Sequence, residues 1–173
     1  RQIGRFDKAL ERINNSLKLR ENFSKAKREK VQIYIGMQDY ESALELARLN
    51  YENYKDNPYH MQAYFTCVIK SDNVKNKKDI LKELIENMEI IGSKLSRELT
   101  LRFKAQYAAF IENDYDEAIG YIDQAIEMNE NIHYARLVKF DIADRFDDIA
   151  MMQEIVDYFR KAELKQRYHD NIV

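Results

Sequence analysis

Asp39-Tyr40-Glu41-Ser42-Ala43 returns as Asp114-Tyr115-Asp116-Glu117-Ala118, and in looser form as Arg5-Phe6-Asp7-Lys8-Ala9. Ala9 and Ala43 stand 34 positions apart, and Ala43 and Ala118 stand 75 apart, which is two such steps and seven residues more. A recurrence near that length, with helix signals on both sides, predicts an all-α helix-turn-helix solenoid in which each unit buries its apolar face against the next. About four helix pairs plus an initial half repeat are expected, spread over residues 1–173 as a single repeat domain.

Working outward from the motif, Phe6, Ala9, Leu10, Ile13 and Leu17 recur at steps of three and four, the stripe of an amphipathic helix. Helices are then expected over 25–36, 40–54, 58–71, 80–91, 96–113, 115–128, 132–144 and 146–164, nine in all. Asn57 is placed to cap the helix that opens with Pro58, and Gly92 to end a helix in the left-handed region. The polar run from Ser71 to Lys78 takes the insertion. The residue two before each motif aromatic is Gly4, Gln38, Asn113 or Asp144, and these are the expected turn residues. After the turn, Ala9, Ala43 and Ala118 let two helix backbones approach closely. Ile149 holds that place in the last unit, at a shortened step of 31.

The composition narrows the function. Charged residues make up 34% of the chain, yet 28 basic and 30 acidic side chains leave a formal charge of only −2, so no basic field awaits a phosphate backbone and no nucleic acid is expected as partner. Four Gly and one Pro fit nearly continuous helix. Cys67, the sole cysteine, lies between apolar residues and suits a helix interior in a reducing, cytoplasmic protein. No membrane span or secretory leader is read, and a chain beginning at Arg1 reads as a fragment of a longer protein. His60, His133 and His169 have no partner ligand at helical spacing, no nucleophile set or phosphate loop is present, and neither metal, cofactor nor enzymatic activity is expected.

These residues resemble the tetratricopeptide repeat (TPR) family, whose pattern sets a Tyr before a key Ala, a large residue and a small one after it, and a Pro near the unit's end. Around Ala43 the match is Tyr34, Ala43 and Ala47, with Asn50 and Lys55 at the last two places and Pro58 slightly late. Around Ala118 it is Ala109, Ala118, Ile122, Ala125 and Glu130. The family's Trp and Leu-Gly signature is absent. The resemblance implies a right-handed, TPR-like superhelix acting as a protein-protein interaction scaffold, with a partner peptide held in a concave groove lined by the first helix of each pair. Carried over, the groove positions are Arg28 and Gln32, then Gln62 and Thr66, then Phe103, Tyr107 and Phe110, and then Tyr134. Gln32 stands where a carboxylate-gripping clamp needs Asn, so a chaperone-tail binder is not expected.

Phe103, Tyr107 and Phe110 share one helix face while Ala105, Ala108 and Ala109 take another, so internal packing and an aromatic groove both remain open. Two other roles compete with the scaffold. One is a ligand- or peptide-sensing regulatory domain attached to a DNA-binding or ATPase effector domain. The other is a homo-oligomerisation module, in which Phe6, Leu10 and Ile13 of an open terminal helix stack on a second copy.

Overall fold

A computed structural model describes residues 3–21, 23–128 and 133–170, and side chains within 5–162 of those ranges. Glu130 and Ile132, and the side chain of His169, lie outside them. Among the described residues the chain is all α: α1 (Ile3–Leu19), α2 (Ser24–Gly36), α3 (Tyr40–Asn53), α4 (Pro58–Lys70), α5 (Lys77–Ile91), α6 (Lys94–Tyr107), α7 (Tyr115–Met128), α8 (His133–Arg145) and α9 (Ile149–Asp170). A five-residue π segment, Ala108–Glu112, follows α6 directly. Residues divide into two compact units, Arg1–Thr100 and Leu101–Val173.

Three of the turns into second helices are built alike. Gln38, Asn113 and Asp147 take φ of 60°, 59° and 57°, the left-handed conformation that reverses a chain in minimal length. The residue after each is an Asp whose carboxylate caps the next helix, accepting a backbone N–H from Ser42 at 3.1 Å, Glu117 at 2.9 Å and Met151 at 3.0 Å. The Asp amide then closes the turn, reaching Tyr34 O from Asp39 and Ala143 O from Asp148, each five residues back. Asp114 reaches Ala108 O instead, six back, because the π segment holds one residue more.

This geometry corrects the last unit. Asp147, not Asp144, is the turn residue, and α9 opens at Ile149 rather than Phe146. Met152 therefore stands where Ala43 and Ala118 stand, 34 residues after Ala118, and the period there is regular. Counted between first helical residues, Tyr40, Lys77, Tyr115 and Ile149, the steps are 37, 38 and 34. The seven extra residues are thus divided, three falling in the turn before α5 and four between that point and α7. Gly4 is no turn residue either, since α1 already includes it.

Asn57 accepts from Tyr59 N at 3.0 Å ahead of Pro58, as its position predicts. Gly92 ends α5 with φ 64°. Ser93 caps α6, accepting from Ser96 N at 3.1 Å, so α6 starts two residues before the expected Ser96.

In the first unit α2 packs on α1, α3 and α4, and α4 on α3 and α5. Val31, Ala43, Ala47, Met61, Phe65, Leu81, Leu84 and Met88 fill the space between them, all buried. Large apolar side chains of this kind contribute about 1.5–3 kcal/mol each on burial. Phe6, Leu10 and Ile13 of α1 are half-buried rather than open; the Phe6 ring lies 3.1 Å from where a Cβ on Gly36 would stand. Arg5, Asp7, Lys8, Glu11 and Arg12 take the exposed positions of that helix, a polar outer side. In the second unit Ala105, Ala108, Ala109, Ala118, Ile122, Ala125, Ala135 and Ile142 form the core, five of them between 105 and 125 being alanine, which lets the α6, π and α7 backbones lie close.

Candidate functional site

The first unit brings four expected groove positions onto two neighbouring helices, Arg28 and Gln32 on α2 and Gln62 and Thr66 on α4. Residues four apart in a helix share a face, so each pair forms a short stripe. Gln32 is exposed, and the other three are half-buried. Arg28 lays its guanidinium over the Tyr59 ring, 4.8 Å from the centroid, and donates to Glu29 at 3.0 Å. Thr66 Oγ1 donates to Gln62 O at 2.9 Å, which spends its proton within α4 and leaves its lone pairs as acceptors. Tyr59 belongs to this stripe and was not singled out in the sequence. It precedes Gln62 by three and Thr66 by seven, and following their face back to the first turn of α4 finds it.

Beneath that stripe His60 is 1% exposed, stacked on Tyr54 with ring centroids 4.8 Å apart, and bonded through Nε2 to Ser24 Oγ at 2.8 Å. Burial, with Arg28 and Lys27 adding their charge, lowers its pKa below the ordinary histidine value, so the ring is neutral at pH 7. Nδ1 is buried with no hydrogen-bond partner. A proton there would be an orphaned donor, so the ring carries its proton on Nε2 and donates to Ser24. An activated serine needs the opposite direction. The pair therefore clamps α4 to the start of α2, and Asn50 Nδ2 adds a tie from α3 to Lys27 O at 3.3 Å.

The second unit treats its four candidates differently. Phe103 is 2% and Tyr107 7% exposed, so both are packing side chains in this conformation. Phe110 is half-buried against the alanine-rich core and lies 5.5 Å from the Arg145 guanidinium. Tyr134 alone of the four is open, 66% exposed, and Leu137 one turn on is 50% exposed. Among the described residues, the exposed large apolar side chains of this unit are Tyr134 and Leu137 on α8 and Ile149 at the start of α9, and Leu137 is the α8 member that sequence reasoning missed.

Arg145 explains how the π segment is held. Its Nε donates to Ala109 O at 2.9 Å and its Nη2 to Asn113 Oδ1 at 3.3 Å, so one side chain serves a carbonyl of the π turn and the turn residue that ends it. Cys67 is buried, its thiol pushed up to about 12 by desolvation, and is inert at neutral pH. Among the described residues no three His, Cys, Asp or Glu side chains converge to hold a metal, and no helix is long and apolar enough to cross a membrane.

No protein-family model matches the sequence, and no curated protein matches it. Among solved structures, the crystal structure of a thermophilic TPR protein from Thermus thermophilus superimposes with a TM-score of 0.68, covering 98% of this chain and 91% of that one at 16% identity. The fold is the tetratricopeptide-repeat fold. At that identity the likeness concerns the backbone alone, so the TPR helix pairs are common to both chains while the side chains on them are this chain's own.

Proposed function

We propose that this TPR-fold chain is a protein-interaction module that captures a segment of a partner protein along the α2 and α4 stripe. The fold is one that generally mediates protein-protein contacts, and the observation that carries the reading is the stripe itself. Arg28 over Tyr59, with Gln32, Gln62 and Thr66 alongside, sets a cation, an aromatic ring, amide groups and a hydroxyl on two rigid helices. Such a set hydrogen-bonds a peptide backbone while Tyr59 supplies apolar contact. Tyr134 and Leu137 give the second unit an apolar contact of its own. The role is binding without a catalytic step, in a reducing cytoplasmic setting.

A displayed peptide library selected on the chain tests this. Peptides that bind wild type should lose about tenfold or more in affinity on Arg28→Glu, with Tyr59→Ala acting in the same sense. Selected peptides indifferent to both substitutions would remove the α2 and α4 stripe from the site.

A further inference from the structure

A second feature of the first unit lies away from that stripe. The turn between α2 and α3 and the lengthened turn after α4 face each other across a cleft of about 630 Å³. Its size is that of an ordinary ligand or peptide side-chain site. Asp39, Glu41, Glu45 and Asp72 line it against Lys70, so the rim is acidic, while Tyr40 and Leu44 supply an apolar floor.

Not all of those carboxylates are available. Asp39 caps α3 through Ser42 N, and Glu45 is held by Arg48 at 2.9 and 3.3 Å. Glu41 and Asp72 are both exposed and come from opposite walls. Lys77, a cation close enough to feel the Asp72 charge, spends its ammonium on Ser71 O at 3.0 Å. Ser71 itself is a lining residue, 7% exposed, and its Oγ is buried without a hydrogen-bond partner. A buried hydroxyl left unpaired costs about 1–3 kcal/mol, which a ligand atom reaching it would recover. The extra residues of the repeat period supply this wall, since Ser71, Asp72 and Asn73 belong to the lengthened turn.

We infer that the cleft between these two turns is a separate docking site for a basic segment of a partner protein, one that presents a Lys or Arg beside an apolar side chain. The cation enters between Glu41 and Asp72, the apolar side chain lies on Tyr40 and Leu44, and a carbonyl of the segment accepts from Ser71 Oγ. Opposite charge on the two sides steers the encounter and makes it salt-dependent. The site goes beyond the α2 and α4 stripe and stands or falls independently of it.

The test is fluorescence anisotropy with a carboxyfluorescein-labelled Gly-Lys-Leu-Lys-Gly amide and its Gly-Glu-Leu-Glu-Gly counterpart, against wild type, the double variant Glu41→Lys/Asp72→Lys, Ser71→Ala and Arg28→Glu. The expected result is saturable binding of the lysine peptide alone, weakened at least about tenfold in the double variant and severalfold between about 50 and 200 mM salt. Ser71→Ala should weaken it about threefold. Arg28→Glu should leave it within about twofold, which separates this site from the stripe. Thermal unfolding of each variant confirms a retained fold, as the two carboxylates are exposed. Equal binding of the two peptides, an unaffected double variant, loss on Arg28→Glu, or no saturable binding in the millimolar range would each overturn the assignment.

Discussion

Asp148 accepts a hydrogen bond from the Tyr115 hydroxyl, which joins the cap of α9 to the first residue of α7, one repeat earlier. The same carboxylate accepts Met151 N at 3.0 Å, so one side chain starts α9 and ties it to α7. The bond to Tyr115 also holds the Asp148 carboxyl below its usual range and pushes the Tyr115 phenol up to about 12. Asp114 caps α7 with the same geometry, its carboxylate accepting from Glu117 N within its own helix.

Removing the caps should therefore separate the two. Asp114→Ala is expected to cost about 1 kcal/mol of stability, the ordinary worth of an N-cap. Asp148→Ala should lower Tm further than Asp114→Ala, and Tyr115→Phe should lower it in wild type but not in the Asp148→Ala background. A double-mutant cycle read by urea unfolding checks this, and additive losses would contradict it.

The corrected register of the last unit makes a second prediction. Ala118 is fully buried where two backbones approach, whereas Met152, its equivalent 34 residues on, is half-buried in the final helix. Ala118→Leu should overpack and cost about 1–3 kcal/mol, and Met152→Leu should cost less than about 1.5 kcal/mol. If Ile149 held the equivalent place it would be buried as Ala118 is and Ile149→Asp would be strongly destabilising, whereas a side chain 67% exposed should lose less than about 0.5 kcal/mol on that change. Circular dichroism melts of the set decide between these registers.

Gln38 holds a left-handed backbone that its Cβ disfavours. Gln38→Gly should raise stability by up to about 1 kcal/mol, and Gln38→Val should lower it by at least as much. Opposite signs in chemical denaturation are the expected reading.

His60 gives the fold a pH dependence. Its folded pKa is lowered by burial and by Arg28 and Lys27, so below the unfolded value the unfolded chain takes up a proton that the folded chain refuses. Stability from this group is complete above about pH 6.5 and declines as pH falls from there through the folded pKa. His60→Gln, which keeps a donor toward Ser24 but cannot titrate, should flatten the Tm profile between about pH 7 and 5 relative to wild type. Parallel profiles would deny the clamp this role.

Much of the fold was legible because its instructions are local. Ala43 and Ala118, the Asn57-Pro58 start and the Gly92 stop each announce themselves by residue type, and Gln38 and Asn113 fall at the turn positions the motif sets. Phe146 misled, because an aromatic two residues after Asp144 imitates the motif. The pair Asp147-Asp148 supplies both the left-handed turn and the cap, and reading it so restores the 34-residue step. The π segment has no such marker, since no residue type selects a hydrogen bond five residues long; its support by Arg145 comes from 36 residues downstream. The candidate site was half legible. Arg28, Gln32, Gln62 and Thr66 share the α2 and α4 surface as their spacing implies, but burial of Phe103 and Tyr107 depends on what packs against them from elsewhere in the chain, which is tertiary information. The acidic cleft was not legible, because two turns about 30 residues apart form it.

The binding claim is tested most directly by amide chemical-shift mapping of the chain titrated with the tightest library-selected peptide. Perturbations should concentrate on α2 and α4 around Arg28, Gln32, Tyr59, Gln62 and Thr66. Shifts gathered instead on the α3 and α5 surface, around Arg48, Glu52 and Glu83, would contradict the account.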